Sequence, residues 1–334
     1  MLQARMFSRI SRKRARIANP KEKCVDLSVD LGPLRLRSPV ITAAGTFGLA
    51  DEYLRGVDVS RIGAYTTKSL SLDAWPGNPP PRIRRAPAGM INSIGLENPG
   101  VNEWVEKHLA LVERWDIPII GSVWGRSVSE FAEAASRLAC RNSVIAIEVN
   151  LSCPNLEKPT EIFAHDYKLS ASVIQAVSKS VRSAGKPVFA KLSPNLPSLV
   201  EMAKELLEAG ATGLTLTNTV LATALEIHHA ALALGNPRGG LSGPAIKPIV
   251  LRHVLEVASE VRGVPIIGTG GVFNGCDAVE MLMAGASAVG VGTASFYDPR
   301  APAKIAGEIE AWCLRSRIFS VRELQGVAIP GGLP

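Results

Sequence analysis

No stretch of this 334-residue chain is apolar for long enough to cross a membrane, which takes roughly 18 residues. The longest candidate, residues 211–225, is broken by Thr212, Thr215, Thr217 and Asn218 and closed by Glu226. Paired cysteines are lacking too. Cys24, Cys140, Cys153, Cys276 and Cys313 are odd in number and widely spaced, without a C-x-x-C. That excludes the usual disulfide frameworks, zinc sites and iron–sulfur clusters, and it fits a reducing cytoplasm. His108, His165, His228, His229 and His253 show no H-E-x-x-H spacing, so no metal is expected. No G-x-G-x-x-G follows the first strand-like run, which counts against an open dinucleotide-binding sheet.

Charge excess is missing from most of the chain. Residues 1–23 hold eight basic side chains against one acid, Glu22, and so account for the whole formal charge of +7. The remainder is neutral, which makes nucleic acid an unexpected partner. Residues 1–23 read as a disordered basic tail, with a transit segment or RNA-contacting arm as minority alternatives. The continuous apolar region of a secretory signal is absent from them.

What is present is a regular alternation. Strand-like apolar runs occur at 40–44, 64–68, 117–123, 144–150, 188–192, 213–218, 264–268 and 288–292. Helical stripes lie between them, such as Leu199, Met202, Ala203, Leu206 and Leu207, closed by Gly210, and Val250, Val254, Val257, Ala258 and Val261. Asn274 with Asp277 has the spacing of a capping box opening a helix to Met283. Eight strand–helix repeats predict an α/β fold, a (β/α)8 TIM barrel, over residues 24–320. A short hairpin, Val25–Val29 with Leu34–Leu36, precedes it, and residues 321–334 form a C-terminal extension. Residues 73–98 are too long and too rich in Pro and Gly for a simple connection, and loops of that length are usually functional.

A barrel keeps its active site at the carboxyl ends of the strands, and this pattern breaks into polar residues there. The second strand ends in Thr67-Lys68-Ser69, the fifth in Lys191-Leu192-Ser193, the sixth in Thr217-Asn218-Thr219. The fourth, Ile145 to Asn150, runs into Ser152, Cys153, Pro154 and Asn155. The last two strands end in glycine-rich turns, 268–271 and 290–293, whose backbone N–H groups suit a phosphate. Lys68 and Lys191 either snorkel to solvent or face a bound anion, and two of them beside a phosphate site favour the anion. Asn92, Asn150, Asn155 and Asn218 are turn residues or partners of a planar ligand rich in carbonyl and N–H groups. Cys140, Cys276 and Cys313 read as buried structural thiols. Cys153 has no histidine in a hydrolase pattern beside it, so a base is the better reading than an acylated nucleophile.

Several spaced motifs carry a resemblance. They are Ala44-Gly45-Thr46-Phe47-Gly48, Thr67-Lys68-Ser69, Gly77-Asn78-Pro79-Pro80-Pro81-Arg82, residues 92–100, residues 150–155, Lys191-Leu192-Ser193-Pro194-Asn195, Asn218-Thr219, residues 239–248, residues 268–271 and Gly292-Thr293. From about residue 34 to 296 the chain resembles the class 1 dihydroorotate dehydrogenases, most closely class 1B. The resemblance implies one FMN, bound through Ala44, Gly45, Lys68, Ser69, Ser122, Asn150, Lys191, Thr217 and Gly243, with its phosphate at Gly270, Gly271, Gly292 and Thr293. Lys191 would stabilise the anionic reduced flavin. Lys68, Asn92, Ser93, Ile94, Gly95, Leu96, Asn150, Asn155, Asn218 and Thr219 would hold (S)-dihydroorotate. Cys153 would take the C5 proton while hydride leaves C6 for flavin N5, giving orotate for pyrimidine (UMP) synthesis.

The same resemblance implies a homodimer, or a heterotetramer with a subunit whose FAD and 2Fe–2S cluster pass electrons to NAD. Ser122, where class 1B usually has Asn, and Lys158-Pro159 are more like class 1A, which uses fumarate directly. A dihydropyrimidine dehydrogenase-like flavin barrel is the other enzymatic alternative, although its motif usually continues with His where this chain has Asn155. A silent flavin-fold protein binding through its tail is the non-enzymatic one, opposed by Lys68, Cys153 and Lys191. Because all the excess charge sits outside the barrel pattern, deleting residues 1–23 is expected to leave steady-state turnover unchanged.

Overall fold

A computed structural model of the protein describes residues 24–152 and 166–331. The expectations for the tail, for Cys153 and Asn155 and for the loop after them lie outside those residues.

The apolar runs form eight parallel strands: β1 (Val40–Thr42), β2 (Tyr65–Thr66), β3 (Ile119–Val123), β4 (Val144–Asn150), β5 (Val188–Leu192), β6 (Gly213–Leu216), β7 (Ile266–Thr269) and β8 (Ala288–Val291). They pair in the order β1–β8–β7–β6–β5–β4–β3–β2. A parallel bridge between Ile41 and Ala64 joins the two ends, with Thr42 N–H donating to Ala64 O at 3.1 Å and Gly63 N–H to Val40 O at 2.7 Å. The sheet is a closed barrel, and closure leaves no strand edge to satisfy.

The strands are apolar on both faces because one face meets the barrel interior and the other meets helices. Helix α1 (Val101–Lys107) and α2 (Leu109–Glu113) follow β2, α3 (Val128–Ala139) follows β3, and α4 (Tyr167–Val181) follows β4. Next come α5 (Leu199–Glu208), α6 (Lys247–Glu260), α7 (Gly275–Met283), the short α8 (Ala294–Tyr297) and α9 (Ala301–Ser316). The predicted stripes are the buried faces: Leu199, Met202, Ala203 and Leu206 on α5, and Val250, Val254, Val257 and Ala258 on α6. Gly210 stops α5 in a left-handed conformation, φ 107°. The capping box is formed, with Asn274 Oδ1 accepting from Asp277 N–H at 3.0 Å and Asp277 Oδ2 accepting from Asn274 N–H at 3.2 Å.

Three expectations need adjustment. The first hairpin strand is Val29–Leu31, paired with Leu34–Leu36, rather than Val25–Val29. The register places Asp30 opposite Arg35, where the two form an ion pair of 3.1 Å, and turns Leu31 and Leu36 inward. A Cβ on Gly32 of this turn would lie 3.3 Å from Pro265 and 3.6 Å from Thr212, which precede β7 and β6. The hairpin therefore closes the amino end of the barrel and leaves the carboxyl end for the site. Strands β2 and β6 are shorter than their apolar runs, although Thr67 N–H still donates to Ile120 O at 3.0 Å and Thr217 N–H to Thr269 O at 2.8 Å.

The long 73–98 connection is structured, not open. It contributes strands Ile83–Ala86 and Gly89–Asn92 to a four-stranded antiparallel sheet completed by Val220–Ala222 and Gly239–Ser242. Segments from the ends of β2 and β6 thus build one cover beside the mouth. At the other end of the chain, Val321, Leu324 and Ile329 are buried, and Gly326 N–H donates to Leu282 O on α7 at 3.0 Å. Among the described residues no helix is long and apolar enough to cross a membrane.

The Asn274→Ala variant removes the acceptor that caps α7. A loss of about 1 kcal/mol in unfolding free energy is expected, read as a lower denaturation midpoint at unchanged slope.

Candidate active site

The barrel interior is not uniformly apolar. Strand β4 alternates, so Glu148 and Asn150 share one face, and both point inward. Glu148 Oε1 accepts from Ser122 Oγ at 3.1 Å and from Lys191 Nζ at 3.3 Å, while Oε2 accepts from Thr215 Oγ1 at 3.0 Å. The side chains of Lys191 and Glu148 are 7% and 4% exposed, so this is an ion pair inside the protein. Such a pair is tolerated only when the hydrogen bonds around it are complete, and here the carboxylate has three donors from three strands.

The network rises from there to the mouth. Ser122 Oγ lies 3.0 Å from Ser69 Oγ, and Ser69 Oγ accepts from Asn150 Nδ2 at 3.1 Å. Asn150 Oδ1 accepts from Asn218 Nδ2 at 3.1 Å and from Ser152 N–H at 3.2 Å. Asn218 Oδ1 accepts from Thr219 N–H at 2.8 Å, and Thr217 Oγ1 donates to Asn218 O at 2.9 Å. The backbone N–H groups of Ser152 and Thr219, which can only donate, match the Oδ1 assignment of Asn150 and Asn218.

Lys68 lies over the turn after β1. A Cβ on Gly45 would sit 3.2 Å from Lys68 Cδ and 3.3 Å from Nζ, so glycine is what lets the lysine cross beside Ala44. On the cover, Asn92 Nδ2 donates to Gly240 O at 3.2 Å and Ser93 Oγ to Arg238 O at 3.0 Å. Ile94 O accepts from Asn78 N–H at 3.0 Å, and Gly95 O from Trp75 Nε1 at 3.0 Å. Leu96 holds a left-handed φ of 62°. The Trp75 ring meets Trp124, just beyond β3, edge to face at 5.6 Å, and Arg126 lies over Trp75 at 5.7 Å. Two indoles thus pin the cover loop to the barrel wall.

The glycine turns lie on neighbouring strands. Gly270 and Gly271 have φ of 138° and 78°, and a Cβ on Gly271 would come within 2.7 Å of Lys247 N and Cα at the start of α6. Thr293 Oγ1 donates to Ser242 Oγ at 2.8 Å, next to Gly243 with φ 100°. The turn after β7 therefore packs against the start of α6, and the turn after β8 is tied to the cover, with small residues in each, as a phosphate-binding turn needs.

Of the described residues predicted for the site, Ser122 lies in the buried layer of Glu148, and the others lie at the strand ends, in the turns after them or on the cover. Sequence reasoning missed Glu148, Thr215 and Asn195. Asn195 donates to Thr219 O at 3.1 Å and accepts from Leu221 N–H at 2.9 Å, tying the β5 turn to the β6 loop. The available signal for Glu148 was its position two residues before Asn150, the one charge in an apolar strand. The structural-thiol reading needs correction: Cys313 is buried, and burial pushes its thiol up to about 11, but Cys140 and Cys276 are exposed. Cys140 caps α3 and Cys276 lies in the first turn of α7, both on the solvent side.

The dihydroorotate dehydrogenase family model matches residues 26–312 of this chain. The chain belongs to that family. It is 43% identical over 301 residues to the catalytic subunit of dihydroorotate dehydrogenase B (NAD(+)) of Geobacter metallireducens, covering 90% of this chain and 97% of the relative. The subunit of the same name from Geobacter sulfurreducens is 44% identical over 301 residues, with the same coverage. That from Lachnoclostridium phytofermentans is 42% identical over 302 residues, covering 90% and 99%. The family is FMN-dependent, and this chain is an oxidoreductase of it. The donor set fits an FMN: three glycine-lined turns suit its phosphate, and a buried lysine with serine and asparagine donors suits its polar ring edge.

Gly271→Ala forces a side chain into the start of α6 at positive φ and is expected to cost the apoprotein about 1–3 kcal/mol. A Cβ on Gly292 meets only Ala43 at 3.5 Å and Thr46 at 3.6 Å. Gly292→Ala is accordingly expected to change apoprotein stability by less than about 0.5 kcal/mol in the same denaturation measurement.

Proposed function

We propose that this chain oxidises (S)-dihydroorotate to orotate in pyrimidine synthesis, as the FMN-carrying catalytic subunit of an NAD-linked enzyme. The observation that carries the reading is the family match over residues 26–312 together with the amide and lysine cluster at the barrel mouth. Gly270, Gly271, Gly292 and Thr293 hold the phosphate, and Ala44, Gly45, Ser69, Ser122, Thr217 and Gly243 frame the rest of the cofactor. When bound, FMN supplies the two-electron acceptor for the hydrogen leaving C6.

The remaining chemistry belongs to the chain. Lys68 sets an ammonium against the substrate carboxylate, and Asn92, Asn150, Asn155 and Asn218 match the carbonyl and N–H edges of the ring. Backbone and side chain from Ser93 to Leu96 and Thr219 orient it, and the cover that carries them limits water at the reacting carbons. Cys153 acts as its thiolate, which takes the C5 proton onto Sγ and becomes the thiol; a free thiol with an ordinary value of about 8.5 lies close enough to neutral pH to supply that form. The names of the three relatives support NAD as the final acceptor and a partner subunit, whose own FAD and 2Fe–2S cluster would relay the electrons. The assembly is then a homodimer of this chain, extended to a heterotetramer by the partner, in the cytoplasm.

Two experiments test this. Cys153→Ala is expected to slow anaerobic reduction by dihydroorotate at least about a hundredfold at pH 7 while FMN stays bound, the usual range for losing a general base. Loss of flavin instead would assign Cys153 to structure. Stopped-flow oxidation of the reduced protein is expected to be slow with fumarate and fast with NAD once a co-purifying subunit is present. Rapid oxidation by fumarate alone would overturn the NAD-linked assignment.

A further inference from the structure

Glu148 is not needed to build a barrel. A strand whose neighbours are Ile147 and Val149 would pack as well with an apolar residue there, and a buried ion pair rarely adds stability over an apolar replacement. Its geometry nevertheless looks selected. The carboxylate is held from three strands, by Ser122 on β3, Lys191 on β5 and Thr215 on β6. One oxygen is shared by Ser122 and Lys191 and the other is taken by Thr215, so both oxygens are engaged. In the register, Asn150 lies opposite Lys191, so Glu148 is two residues deeper than the layer of Asn150 and Lys191. The lysine thus stands between a fixed negative charge below and whatever occupies the mouth above.

We propose that Glu148 is the positioning residue for Lys191 and balances its charge, thereby setting how strongly the barrel favours reduced over oxidised flavin. The inference rests on the reading that FMN binds with Lys191 at its ring edge. A buried ammonium without a counter-charge is costly, and any group that gains negative charge beside it relieves that cost. Glu148, at 3.3 Å from Nζ, already supplies part of the relief. It therefore weakens the pull of Lys191 on electrons arriving at the flavin and keeps the flavin able to pass them on.

The test is the two-electron midpoint potential of bound FMN, measured by dye equilibration without substrate, alongside flavin content and thermal midpoint. Glu148→Gln keeps the shape and removes the charge. The ratio of affinities for reduced and oxidised FMN is expected to rise at least about tenfold, a positive shift of about 30 mV for a two-electron couple. Lys191→Met is expected to shift it in the opposite direction, and Glu148→Asp to return it most of the way to wild type. Should Glu148→Gln fail to fold, Glu148→Met removes the same charge with an apolar side chain and is expected to shift the potential in the same direction. A potential that moves in Lys191→Met but in none of the Glu148 variants overturns this proposal and leaves the flavin placement standing. A potential that falls in Glu148→Gln also overturns it, since the carboxylate would then only hold the lysine in place. No movement in any variant, Lys191→Met included, overturns the placement of flavin beside Lys191, and the proposal with it.

Discussion

A carboxylate sealed inside a closed barrel has to be satisfied by the strands around it, and Glu148 is the point from which the site is organised. Its three donors come from β3, β5 and β6, so its hydrogen bonds fix the relative position of strands that are already paired through their backbones. Above it, Ser122, Ser69, Asn150, Asn218 and Thr219 form a continuous chain of bonds to the mouth. A network of this kind in a low-dielectric interior is rigid when complete. It delivers amide and hydroxyl groups to the carboxyl end of the barrel with little freedom to drift, which is what a positioned reaction requires.

The architecture divides the work between rigid and adaptable parts. Strand ends supply Lys68, Ser69, Asn150, Lys191 and Asn218. The antiparallel cover supplies Asn92 to Leu96 from a segment fastened by Trp75 to Trp124 and by Asn78 to Ser93. The two halves of that cover leave the barrel after β2 and after β6, so residues far apart in sequence close over one place. The hairpin packs at the amino end, the opposite opening. After β8, Thr293 Oγ1 donates to Ser242 Oγ of the cover, so the proposed phosphate site would draw on both barrel and cover.

Much of this was legible in the sequence because local physics determines it. The strand runs and the stripes on α5 and α6 follow from periodicity, and the capping box of α7 from two residues three apart. Strand-end lysines, asparagines and glycines stand out because polar groups interrupt apolar runs. What was not legible depends on pairing across the sheet. The role of Glu148 needs the register that brings Ser122, Lys191 and Thr215 around it, and no spacing within β4 encodes that. The cover looked like a long loop because the local pair of Ile83–Ala86 with Gly89–Asn92 becomes a sheet only where Gly89–Asn92 meets Gly239–Ser242, far along the chain. Cys140 and Cys276 were misjudged because a cysteine reads as apolar, whereas these two sit at helix ends turned to solvent.

In the proposed function, an anion-binding turn, a lysine-bearing strand and an amide cluster would surround one cofactor and one planar substrate. The most direct measurement is an electron-density map of crystals grown with FMN and orotate. Phosphate density between Gly270–Gly271 and Gly292–Thr293 is predicted, with the flavin against Lys191 and orotate among Lys68, Asn92, Asn150 and Asn218. FMN or orotate found anywhere else on the protein, or a barrel mouth that takes up neither, would contradict it.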